Sequence, residues 1–215
     1  YYSLGYILLE ELPLNYKGIF TAALAAVNLV LMLVTHTLPR AAKGVKLTFF
    51  GLGLIFTVLI APVEFAGKSV TLVWAFQIVL LLWLAQKIDV VMMRLGSLLM
   101  TLVMLASLGL DMWDIYVSTS ALSNPMPSFR NLGFFTNLSA SVALLLNIVL
   151  LNNEKGDYFL PFIRVKTYKA ILGLFAGLVF YLTFYLEIRY ALTQMVSSIY
   201  VIRLYLGIYN MGLLM

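Results

Sequence analysis

Long apolar runs separated by short polar clusters repeat along the whole chain. Gly18 to Pro39 holds no Asp, Glu, Lys or Arg over 22 residues, and Asn131 to Asn153 holds none over 23. Leu47 to Val63, Ser69 to Gln86, Leu95 to Leu110 and Ala170 to Leu186 are similar windows of 17, 18, 16 and 17 residues. A helix needs about 20 apolar residues to cross roughly 30 Å of hydrocarbon, so windows of this length are spans rather than soluble core helices. The Leu95 window reaches span length by taking in Val90 to Arg94, with Arg94 snorkelling to the interface. The runs are rich in Leu and Ala and lack the period-2 alternation of barrel strands. The expected fold class is therefore all-α: a polytopic transmembrane helix bundle of about seven spans in one region, 1–215. The predicted spans are 18–38, 46–62, 69–86, 90–109, 131–151, 167–187 and 196–215, the last interrupted by Arg203.

Composition turns this pattern into a statement about solvent. The 215 residues are 63% hydrophobic and 11% charged, against roughly 25% charged in a soluble domain. Water would leave much of this apolar surface uncovered, whereas lipid accepts helices as oily outside as inside. A disordered chain and a disulfide-stapled secreted domain are excluded, since the sequence has no Cys. The apolar ends, at Tyr1 and Met215, read as cut from a longer hydrophobic chain.

The net charge of +5 is topological rather than a nucleic-acid footprint. Arg40, Lys43 and Lys46 share one gap between spans, Lys87 and Arg94 the next on that side, and Lys155, Arg164, Lys166 and Lys169 the third. The alternate gaps hold one cation each: Lys17, Lys68, Arg130 and Arg189. Nine against four, alternating without a break, places the loops around Arg40, Arg94 and Arg164 in the cytoplasm. Two loops have character of their own. Asp111 to Arg130, with Trp113 and the prolines of Asn124-Pro125-Met126-Pro127, reads as an interfacial turn or short re-entrant piece. Asn152 to Lys169 reads as a polar turn followed by an amphipathic stretch on the membrane face, its four cations favouring anionic lipid.

Few polar residues lie at depth, and those that do are the candidate site residues. Glu64 follows Pro62 at the end of the second span: a substrate- or proton-binding carboxylate, or a headgroup pair with Lys68. Asp111 and Asp114 share a helix face, suited to a phosphate-linked substrate or to a solvated acidic mouth. Gln77 falls mid-span between Trp74 and Trp83, where an amide bonds a neighbouring helix or lines a polar cavity. Arg203 snorkels outward or pairs with Glu187 or Glu64, and Glu187 with Arg189 closes the sixth span at the interface. Gly173 and Gly177 form a GxxxG step for close helix packing, and Ala22 with Ala26 a weaker one. His36 has no ligand partners, and no metal-binding, P-loop, Rossmann or hydrolase motif occurs, so neither a metal nor a cofactor is expected.

The stretch Ile60-Ala61-Pro62-Val63-Glu64-Phe65-Ala66-Gly67-Lys68-Ser69-Val70-Thr71-Leu72-Val73-Trp74-Ala75-Phe76-Gln77, followed by Leu82-Trp83-Leu84, resembles a large family of bacterial predicted membrane proteins, domain of unknown function 2339. Phe184-Tyr185-Leu186-Glu187-Ile188 resembles a second patch of it, in the form found in Bacteroidota. The match covers about thirty residues, and Gln77 stands where the family often has Glu. The resemblance implies a longer chain with more spans, in a bacterial inner membrane, and no established activity.

Three functions remain open. The first is a non-enzymatic scaffold or subunit of an envelope assembly, partnered by lipid and by other membrane subunits or further copies of itself. The second is a transporter or flippase with a cavity lined by Gln77, Tyr181, Tyr185 and Arg203, which requires interrupted helices at the midplane. The third is a transferase acting on a lipid-linked donor beside Asp111 and Asp114.

Overall fold

A computed structural model describes residues 17–38, 42–65, 69–88, 91–116, 127–154, 156–195 and 198–214. They form seven helices and one small hairpin: α1 (Lys17–Thr37), α2 (Lys43–Glu64), α3 (Ser69–Ile88), α4 (Val91–Tyr116), α5 (Leu132–Leu151), β1 (Tyr158–Leu160), β2 (Ile163–Arg164), α6 (Val165–Met195) and α7 (Ile199–Leu214). The first six helices are long and apolar enough to cross a membrane, while α7 has 16 residues. The protein is an all-α, multi-pass membrane protein. Two compact units divide it, 1–74 and 75–215, with the boundary inside α3.

In the first unit α1 and α2 pack along a stripe of small and polar residues. Gly18, Thr21, Ala25, Asn28 and Met32 are buried at three- and four-residue steps, which is one face of a helix. Opposite them, a Cβ on Gly53 would sit 2.8 Å from the Leu29 side chain and 3.3 Å from its backbone nitrogen. Glycine is what lets these two backbones approach. Thr21 and Asn28 donate to carbonyls one turn back, at 2.8 Å each, so neither is stranded in an apolar setting. Trp74 at the start of α3 donates its indole N–H to the Val58 carbonyl at 3.0 Å, joining α3 to α2.

In the second unit α4, α5 and α6 form the core. Asn131–Glu187, Ser141–Ala176 and Asn152–Lys169 are hydrogen-bonded pairs that advance along α5 while retreating along α6, so these helices are antiparallel neighbours. The inner face of α6 carries Val165, Tyr168, Leu172, Ala176, Val179, Thr183, Glu187 and Tyr190, again in steps of three and four. Met93, Met100, Met104 and Leu108 of α4 and Leu144 of α5 fill the interior. The outward faces are just as apolar: Leu110, Leu174 and Phe76 are 73%, 71% and 67% exposed, as lipid-facing side chains are.

Two helices overrun their expected ends. α4 continues through Asp111 and Asp114 to Tyr116, since no Gly or Pro intervenes there and acidic side chains are tolerated where a helix leaves the hydrocarbon. Asp111 to Tyr116 is thus helix, 117–126 of the expected interfacial turn lies outside the described residues, and the remaining Pro127 to Arg130 is non-helical with a turn at Ser128 and Phe129. α6 runs 31 residues, about 46 Å at 1.5 Å per residue, and passes Glu187 because that side chain is fully partnered. After α5 the amphipathic stretch is an antiparallel hairpin, with Tyr158 opposite Arg164 and Leu160 opposite Ile163 across a Pro161–Phe162 turn. Phe159 is buried and stacks on Tyr168, ring centroids 4.3 Å apart, while Phe162 is 72% exposed.

Candidate functional site

One end of the second unit is organised by a single carboxylate. Glu187 is fully buried and accepts from the Tyr116 hydroxyl at 2.6 Å, the Asn131 side-chain amide at 2.9 Å and the Phe129 backbone N–H. Two segments distant in sequence converge on this α6 residue: the end of α4 and the loop before α5. Asn131 is also the N-cap of α5, its Oδ1 accepting from the Phe134 N–H at 2.8 Å, so one amide caps a helix and binds the carboxylate together. Phe129 adopts φ 60°, a left-handed conformation costly for a residue with a Cβ. That geometry accompanies the aiming of its N–H at Glu187. Edge-to-face contacts of Phe134 with Phe129 and with Phe184, each at 5.6 Å, wall in this side. Sequence reasoning expected Glu187 to close the sixth span beside Arg189; what it did not anticipate is the burial of the carboxylate among these donors.

The opposite end is built around a second carboxylate. Glu154 pairs with Arg94 at 2.6 Å, the two side chains only 6% and 13% exposed. The Gln86 amide donates to the Leu150 carbonyl at 2.8 Å and to Glu154 at 3.3 Å. Arg94 thus ties α4 to the segment that follows α5. Beyond it lies a cavity of about 430 Å³ lined by Leu151, Glu154, Gly156, Asp157, Tyr158, Arg164, Val165, Lys166 and Lys169. The Arg164 guanidinium stands 5.9 Å from the Tyr158 ring centroid, and Lys169 donates to the Asn152 amide oxygen at 2.9 Å.

Between the two ends α5 carries a polar seam. Ser141 donates to the Ala176 carbonyl at 3.1 Å, fastening α5 to α6. Asn137 and Asn147 are fully buried, and neither amide has a hydrogen-bond partner among the described residues. Buried amides ordinarily find partners, protein or water. A tyrosine cluster joins α6 to α7: Tyr181 donates to the Asn210 side chain at 2.9 Å, Tyr209 donates to the Tyr181 carbonyl at 3.2 Å, and the Tyr181 and Tyr209 rings stack at 5.9 Å.

The residues singled out from sequence are scattered rather than convergent. Glu64 is exposed at the last position of α2, and its side chain occupies the space beside Gly18 that a Cβ would need. There it meets the first turn of α1, where a carboxylate complements the helix dipole. Gln77 is buried in α3, in the other unit. Asp111 is half-buried and Asp114 exposed, on successive turns of α4. Arg203 is exposed on α7. Trp83 is 45% exposed, with the Lys87 ammonium 6.0 Å from its ring. A Cβ on Gly173 would rest 3.8 Å from Ile148, but one on Gly177 would meet nothing within 4 Å. The close approach of α5 to α6 is made at Ala176 instead. Lys68 lies outside the described residues, as do the structural surroundings of the His36 side chain. Among the described residues no three His, Cys, Asp or Glu side chains are grouped to hold a metal ion.

The residues that organise the unit were hidden from sequence by their separation. Tyr116, Asn131 and Glu187 span 71 positions, and a Tyr or Asn at a span end is ordinary in itself. The one available signal was a Glu placed one residue beyond a charge-free window. No protein-family model, curated protein or solved structure matches the chain.

Proposed function

We propose that this chain is a non-enzymatic structural part of a bacterial inner-membrane protein, serving as a scaffold or as a subunit of an envelope assembly. One observation supports this most directly: in the second unit the fully buried Glu187 and the half-buried pair Glu154 and Arg94 are engaged in bonds that join segments distant in sequence. A catalytic or transport carboxylate is open to its substrate, whereas Glu187 is fully buried and three of its roughly four acceptor positions are taken by donors of its own chain. The alternation of nine and four cations supports cytoplasmic loops near Arg40, Arg94 and Arg164. Lipid surrounds the unit, and other membrane subunits or further copies of the chain are its expected partners. The test is alanine replacement of Glu64, Gln77, Asp111 and Asp114 in the native host. The scaffold reading expects normal membrane abundance and an unchanged cellular phenotype. Loss of the phenotype at normal abundance would overturn it.

A second reading, a transporter or flippase, draws support from Asn137 and Asn147, whose unpartnered buried amides suit a hydrated path along α5, but the described spans are continuous helices without the midplane interruption it calls for. Replacing both by Leu discriminates. A scaffold tolerates the change, because apolar groups of similar size remove an unmet hydrogen-bonding demand. A transporter loses flux while remaining folded.

A further inference from the structure

The cavity at the hairpin end has the chemistry of an anion site. Three cations line it, Arg164, Lys166 and Lys169, against the carboxylates of Glu154 and Asp157. Glu154 is held by Arg94 at 2.6 Å and by Gln86, on the side away from solvent, so its charge is already balanced. Asp157 is left as the acid against three cations. Two of those cations are pre-placed: Arg164 lies over the Tyr158 ring and Lys169 is anchored to Asn152. Val165 opens a 31-residue helix in the cavity wall, and the positive end of that helix dipole adds positive potential. The backbone is fixed there, with the Val165 N–H bonded to the Asp157 carbonyl at 2.9 Å.

Position narrows the anion. The cavity sits where the apolar span Val165–Met195 begins, and the start of a membrane-crossing helix is where headgroups would be met. Beside it the hairpin turns its buried residues, Phe159 and Leu160, toward the bundle and presents Phe162, 72% exposed, with Pro161 also exposed. An exposed Phe at a hairpin tip beside a cationic pocket fits the boundary between acyl chains and phosphates. We propose that this pocket binds the phosphate of an anionic phospholipid headgroup, with Arg164, Lys166 and Lys169 as its ligands and the Phe162 turn seated among the acyl chains. Arg supplies a planar fork for two phosphate oxygens and the lysines supply point charges. The inference does not depend on whether the chain is a scaffold or a transporter.

The test uses the full chain, purified in neutral detergent, delipidated, and titrated with phosphatidylglycerol or phosphatidylcholine in mixed micelles at about 0.1 M salt. Bound lipid is counted by native mass spectrometry. The proposal expects phosphatidylglycerol to bind at least about tenfold more tightly than phosphatidylcholine, from cations each worth roughly fivefold near an anionic surface. The triple variant Arg164→Gln, Lys166→Gln, Lys169→Gln should lose that preference. A control triple, Arg40→Gln, Lys43→Gln, Lys46→Gln, removes the same charge elsewhere and should keep it. Phe162→Ser should weaken phosphatidylglycerol binding several-fold while leaving any binding of inorganic phosphate unchanged. Competition by 10 mM-scale inorganic phosphate distinguishes the sources: a pocket-dependent, lipid-independent phosphate site would keep the three ligands but overturn the lipid assignment. Equal loss in both triple variants would mean diffuse surface attraction and would overturn the site itself, as would absence of any headgroup preference.

Discussion

Substituting Glu187 by Gln tests the convergence of α4, α5 and α6 with almost no change of volume. The carboxylate accepts from Tyr116, Asn131 and the Phe129 N–H through two oxygens, Oε2 serving Tyr116 and Oε1 serving the other two. Gln keeps one acceptor and turns the other into a donor. If the amide nitrogen faces Tyr116, the hydroxyl loses its acceptor; if it faces Asn131 and Phe129, two donors confront a third. In the better orientation the amide nitrogen donates to the Tyr116 oxygen, but the hydroxyl proton is left without its acceptor, and the loss is about 1–3 kcal/mol for a buried donor left unmet. Tyr116→Phe alone should cost less, about 1 kcal/mol, since side-chain bonds within membrane bundles average ~0.6 and reach ~1.7 kcal/mol. The double variant should therefore cost less than the two single variants together, by roughly 1 kcal/mol of coupling. The assay is reversible unfolding of the full chain in mixed micelles titrated with dodecyl sulfate, followed by circular dichroism. Glu187→Gln within about 0.3 kcal/mol of the wild type, or strict additivity with Tyr116→Phe, would refute the claim that this carboxylate holds the helices together.

Three further outcomes follow from the same geometry. Asn131→Asp preserves an excellent N-cap for α5 but deletes the 2.9 Å donor to Glu187 and sets two carboxylates side by side; it should destabilise by about 2 kcal/mol or more, and an Asp variant as stable as wild type in the same unfolding assay would contradict the pairing. At Phe129, where φ is 60°, Gly should be more stable than Ala by roughly 1 kcal/mol, the reverse of their order in an ordinary helical position. Gly53→Val introduces a side chain 2.8 Å from Leu29 and should separate α1 from α2, seen as a loss of spin-label proximity between labels introduced at the exposed positions Val30 and Leu52; unchanged distances would show that the two backbones do not depend on this glycine.

Spans were legible in the sequence because crossing a membrane is a property of each segment alone. An apolar run of the right length satisfies it without reference to any neighbour, so the charge-free windows at Leu47, Ser69, Leu95 and Ala170 each fall within a helix. Packing faces were not legible, and α6 shows why. Its inner residues Leu172 and Val179 and its outer residues Leu174 and Leu178 are equally apolar, since lipid makes no demand that the outside be polar. In water the moment of the pattern would have separated them. The GxxxG step misleads for a related reason: spacing marks a helix face on which close approach is allowed, but Gly177 looks outward while Ala176 makes the contact.

Polar residues reverse this situation, because in lipid each one requires a partner and the partner is a two-body fact. Glu64, Asp111 and Asp114 stood out as isolated carboxylates, yet they lie at helix ends where water and headgroups are within reach. Glu187 looked like one more such end residue and is instead the most constrained side chain of the unit, because three donors from other segments meet it. Arg94 and Glu154 belong to the same pattern, their charges separated by 60 positions and brought within 2.6 Å. A buried charge with every bond directed at its own chain holds the fold; one with capacity to spare serves something outside it. By that criterion Glu187 and Glu154, bonded within their own chain, fit the scaffold reading proposed above. The hairpin end differs, because Arg164, Lys166 and Lys169 line a cavity where Asp157 is the acid not already paired with Arg94, which is why the lipid proposal is placed there.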